Sequence, residues 1–114
     1  MKTFAYFRKR LPWTNATGSQ ANPGDVQVLN SGSTGLIGIT IDTTANGAQG
    51  AVEIEDVHTL TKNTGEAFTQ GQILYWDATN KRLTGTATAN TRAGRASEPA
   101  ASAATSANCS INQA

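Results

Sequence analysis

One cysteine, Cys109, and one histidine, His58, occur among the 114 residues. A lone thiol cannot form an intrachain disulfide, and no cysteine or histidine has metal-ligand spacing. Any Ser-His-Asp or Cys-His catalytic system would have to use His58. Charged residues make up 15% of the chain, against roughly 25% in soluble domains generally. No stretch approaches the roughly 18 apolar residues of a membrane-spanning helix. The basic cluster Arg8-Lys9-Arg10 is followed by Leu-Pro-Trp-Thr-Asn, not by the apolar run of a secretory signal. These scarcities lead to the expectation of a soluble, non-enzymatic protein that needs no cofactor and suits a reducing cytoplasm.

Small and hydroxylated residues fill the space the charges leave, and they favour turns and strand faces over long helices. Net charge is +1, but its distribution is uneven. Lys2, Arg8, Lys9 and Arg10 precede the first acid, Asp25. Phe4, Tyr6, Phe7 and Trp13 crowd the same stretch, four of the seven aromatic residues in the chain. Residues 1–13 read as an extended arm, ordered on meeting a partner, and 14–24 as a linker of turn formers. The domain organisation expected is therefore an arm and linker over 1–24 and a β-domain over 25–114.

Period-two alternation marks the strands. It appears at Val26 and Val28, at Ile37, Ile39 and Ile41, at Val52 and Ile54, and at Ala107, Cys109 and Ile111. Asp56 falls where an apolar residue is due, which suggests a β-bulge before Val57. Ile73-Leu74-Tyr75-Trp76 is apolar on both faces, and Asp77-Ala-Thr-Asn80 is a turn signal with Lys81–Thr84 as the returning strand. Ser97–Ala104 is Ala-rich but holds Pro99, so at most one helical turn is expected there. Regular Gly, Asn and Thr punctuation completes an all-β pattern, a small β-barrel or jelly-roll-like sandwich.

Few residues suggest chemistry. Glu53 and Glu55 share a strand face roughly 7 Å apart, so a hydrolase built on them with His58 is geometrically conceivable. A half-solvated strand gives the same arrangement without any catalysis. Cys109 reads as a small core residue. Tyr75 and Trp76 must face opposite ways, so one needs cover from elsewhere. Aromatic anchors beside arginine suit protein partners better than nucleic acid or membrane. The partner-binding candidates are thus Phe4, Tyr6, Phe7, Arg8, Lys9, Arg10, Trp13 and Trp76. The Asn15 and Asn108 sequons are expected to be chance triplets.

Gly65, Gly71, Tyr75, Trp76, Asp77, Lys81, Leu83 and Thr84 follow one another in a pattern that resembles phage capsid cement, or head decoration, proteins. Pro23-Gly24-Asp25, Gly35-Leu-Ile-Gly-Ile and Asn90-Thr-Arg-Ala-Gly-Arg-Ala also match, with Ala93 standing where a larger apolar residue is usual. The resemblance spans about residues 22–111 and leaves the arm's role open. It implies an oligomeric β-domain, a dimer or trimer, bound to the major capsid protein on the outer capsid surface of the virion. Such a protein would be made in the host bacterial cytoplasm. A rival expectation is a tail or fibre module that binds host-surface carbohydrate through an exposed Trp76.

Overall fold

The computed structural model describes residues 10–32 and 35–113. Nine strands run through them, and no helix occurs among the described residues: β1 (Arg10–Thr14), β2 (Val26–Asn30), β3 (Leu36–Thr40), β4 (Gln49–Glu53), β5 (Val57–Thr61), β6 (Ile73–Asp77), β7 (Arg82–Thr84), β8 (Thr91–Ala96) and β9 (Ser106–Ile111). They form two antiparallel sheets, ordered β1-β4-β3-β2 and β5-β9-β8-β6-β7. The all-β expectation holds. The chain divides into two units, one of Gly38–Glu55 with the residues up to Gln27, the other of Val28–Ile37 with the residues from Asp56 onward.

In the first unit β1 lies along β4 with Leu11 opposite Val52 and Trp13 opposite Gly50. It ends its sheet, where Pro12 can sit without breaking a ladder, since proline offers no N–H to a further strand. Residues 10–24, read from composition as arm and linker, are thus a strand followed by a tight, anchored turn. The anchor is Asn15, which is fully buried. Its Nδ2 donates to the Ser19 carbonyl at 2.8 Å and the Thr44 carbonyl at 2.9 Å, while its Oδ1 accepts from Thr17 N–H and Oγ1 at 3.0 and 2.7 Å. Ala21 and Thr44 then exchange two backbone hydrogen bonds of 2.9 Å. Composition missed this because a polar turn looks alike whether or not one amide is buried in it. Ile39 and Val52 supply the unit's buried aliphatic side chains.

In the second unit the alternation reads as expected. Ala107, Cys109 and Ile111 of β9 are buried, and Leu60 and His58 of β5 stand opposite Ala107 and Cys109 on the same face. Leu74, Trp76, Leu83, Ala93 and Ala96 join them, with Phe68 from the loop before β6. Large side chains come from β6, β7 and that loop, small ones from β8, and β9 adds Ala107, Cys109 and the larger Ile111. A bulge lies between Leu74 and Tyr75, where the β8 register skips Ala93. Beside it Gly94 sits at φ 147°, and a Cβ there would collide with the Ser110 carbonyl, so glycine is required.

Two local expectations change. Asp56 does not bulge a continuous strand. At φ 80° it lies between β4 of one sheet and β5 of the other. Residues 97–105 form turns and no helix, Ala104 N–H closing on the Ala101 carbonyl at 3.0 Å.

Candidate partner-binding surfaces

His58 and Cys109 are cross-strand neighbours, the beginning of a cysteine–histidine pair. Yet Cys109 is fully buried and burial pushes its thiol up to about 12, so the thiolate a nucleophile needs is not formed at neutral pH. Glu53 lies at the end of β4, Glu55 just after it, and His58 on β5. Among the described residues no group of three histidine, cysteine or acidic side chains is placed to hold a metal.

The segment from Gly65 to Thr84 forms a framework instead. Trp76 is buried at 6% exposure, opposite Leu83 on β7. Asp77 closes the hairpin: its Oδ1 accepts from Thr79 and Asn80 N–H at 3.0 and 3.2 Å, and its Oδ2 from Asn80 Nδ2 at 2.8 Å. The Asn80 bonds hold the Asp77 carboxyl below the usual range. Lys81 follows at φ 56°, the left-handed residue such a turn needs. Glu66 accepts from Asn63 Nδ2 at 2.6 Å, Thr84 Oγ1 at 2.7 Å and Gly85 N–H at 2.9 Å. Burial raises its pKa, but those three bonds and the nearby Lys62 outweigh it and leave the group lowered.

Lys62 escaped the sequence reading. It is 2% exposed, and its Nζ donates to the carbonyls of Asn63, Ser102 and Ala104 at 2.9, 3.1 and 3.3 Å. The Phe68 ring lies 5.3 Å away. A lone lysine in a Thr-rich segment resembles a solvated one, and only the partner carbonyls, far along the chain, distinguish it.

The outer face of the five-stranded sheet presents what the inner face excludes. Tyr75 pairs with Arg92 and Ile73 with Arg95, all half-buried, and Arg95 also stands opposite Ser110. Val57, on the same face, is the one large hydrophobic side chain exposed among the described residues, at 54%. Tyrosine and arginine beside aliphatic groups is the composition of interface hot spots. Trp76 itself is turned into the core, and its neighbour Tyr75 is the one turned outward. In the first unit Arg10 is exposed and Trp13 half-buried on β1. Phe4, Tyr6, Phe7, Arg8 and Lys9 lie outside the described residues.

The model of one protein family, described as phage cement protein, matches residues 7–111. The chain belongs to the phage cement protein family. No curated protein matches, and no solved structure does. Membership gives the chain a structural role in a phage, in association with the capsid of the virion. The match begins well before residue 22, consistent with β1 and the Asn15 turn being part of the fold. The Tyr75–Thr84 pattern that suggested the cement family is a folding signature: it positions the core tryptophan, the Asp77 turn and the Thr84 contact. A carbohydrate platform on a fibre would have relied on Trp76, which the core claims.

Proposed function

We propose that this chain binds the outer surface of a tailed-phage head, against the major capsid protein, and stabilises the shell as a dimer or trimer. The family match over residues 7–111 carries this reading. Its non-catalytic character fits a thiol buried away from reaction and carboxylates used as hydrogen-bond acceptors. No cofactor, nucleic acid or membrane is part of the reading, and synthesis is in the host bacterial cytoplasm. Two surfaces support adhesion: the outer face with Tyr75, Arg92 and Val57, and the N-terminal stretch with Phe4, Tyr6, Phe7, Arg8, Lys9, Arg10 and Trp13.

The test is addition of purified protein to expanded shells that lack it, followed by heating. Bound protein should raise the temperature at which the shells rupture, and deletion of residues 2–9 should weaken binding about tenfold, equivalent to about 1.4 kcal/mol. Shells that bind no protein, or that bind it without any gain in stability, would overturn the reading.

A further inference from the structure

Residues 97–105, Ser-Glu-Pro-Ala-Ala-Ser-Ala-Ala-Thr, have the composition of a loose connection, yet they are held along their length. Phe68 and Ala100 exchange backbone hydrogen bonds of 2.9 and 3.0 Å, Gly65 N–H donates to the Ser102 carbonyl at 2.8 Å, and Lys62 N–H to the Thr105 carbonyl at 2.9 Å. The buried Lys62 ammonium adds its bonds to Ser102 and Ala104. Burying an ammonium is unfavourable unless its donors are satisfied, so this loop has one strongly specified shape.

A groove of about 280 Å³ opens along that loop, lined among others by Glu98, Pro99, Ala101, Ala104, Ala107 and Asn108. The alanines let a main chain or a flat side chain approach closely. Glu98 is the one charged residue in the lining. Its carboxylate accepts a hydrogen bond from the Asn108 amide, and Asn108 Oδ1 in turn accepts from Thr59 Oγ1 at 2.6 Å. A groove with small walls and a held carboxylate fits a cationic side chain carried on an extended segment.

Residues 1–9 hold Lys2, Arg8 and Lys9 with no acid, and interleave them with Phe4, Tyr6 and Phe7. They lead into β1 at the exposed Arg10. At about 3.3 Å per extended residue, nine residues reach about 30 Å, the breadth of a small domain.

We propose that in the oligomer the N-terminal segment of one copy lies in this groove of a second copy, with Arg8 or Lys9 against Glu98 and Phe7 over the alanines. Reciprocal exchange between two copies and a closed ring of three both satisfy every segment and every groove. The proposal rests on the oligomeric reading given above and names the surface that makes it.

The test uses cross-linking between differently tagged full-length chains, one carrying Phe7→Cys and the other Ala101→Cys, mixed under oxidised glutathione both free and on shells. Cys109, fully buried, does not compete. A disulfide between the two tags is expected. Glu98→Lys should weaken self-association about tenfold through like-charge contact, and Arg8→Glu with Lys9→Glu should restore it. Self-association unchanged by Glu98→Lys would overturn the proposal. So would the absence of any link between the two tags in either setting. Binding of the wild-type chain to shells, measured in parallel, separates the two readings. A link between copies without shell binding refutes the cement role alone, and shell binding without a link refutes the groove alone.

Discussion

Asn15 in the first unit and Lys62 in the second each hold a polar, low-complexity stretch in place from a buried position, but by different chemistry. Asn15 is a neutral amide that donates two hydrogen bonds and accepts two, three of the four within four residues of itself. Lys62 brings a full charge, and two of its three carbonyl partners lie 40 and 42 residues away. The amide matches its whole hydrogen-bonding inventory locally, so it stabilises a turn that already forms between neighbours. The ammonium is balanced by carbonyl dipoles, the Phe68 ring and the nearby Glu66 carboxylate, and it ties together segments that only the folded chain brings near. A long-range charged latch should therefore be the more damaging one to remove.

Lys62→Ala is expected to cost about 4 kcal/mol, from the cavity and the carbonyls left without a donor. Lys62→Met keeps most of the stem and should recover roughly half of that. Asn15→Ala is expected to cost about 2–3 kcal/mol. Urea unfolding of the three variants checks the order, and an Asn15→Ala loss equal to or above that of Lys62→Ala would break the comparison.

A second contrast, between the two faces of β6, sharpens the first. Trp76→Ala should destabilise the fold, whereas Tyr75→Ala should leave unfolding nearly unchanged and weaken shell binding by about tenfold, as loss of a hot-spot side chain does. The smallest effect expected is electrostatic. The Glu66 carboxyl is held below the usual glutamate range of about 4.5, so its contribution is complete above that pH and is lost as pH falls through the folded value. Glu66→Gln should be less stable than wild type at pH 7, and the gap should close on acidification below about 4.5. A gap that persisted at pH 2 would mean that Glu66 acts by shape alone.

The strands of the second unit were legible because their inner faces alternate, as in Ala107, Cys109 and Ile111. The hairpin was legible because Asp77 and Asn80 are turn formers with a local role. Which of Tyr75 and Trp76 faces inward was not, since a run apolar on both faces carries no period. Pro12 and the polar run after it concealed β1, which tolerates proline only because it ends its sheet. The buried roles of Asn15 and Lys62 depend on carbonyls at Thr44, Ser102 and Ala104, and a carbonyl leaves no mark on the sequence. Ala93 and Ala96 are core residues too small to stand out by hydropathy.

The most direct measurement is a cryo-EM comparison of heads assembled with and without the protein. The account predicts extra density on the outer surface at regular lattice positions, fitted by the five-stranded sheet with Tyr75 and Arg92 facing a neighbour and Trp76 enclosed. Heads that look identical in the two maps, with the protein's density found on the tail, would contradict it.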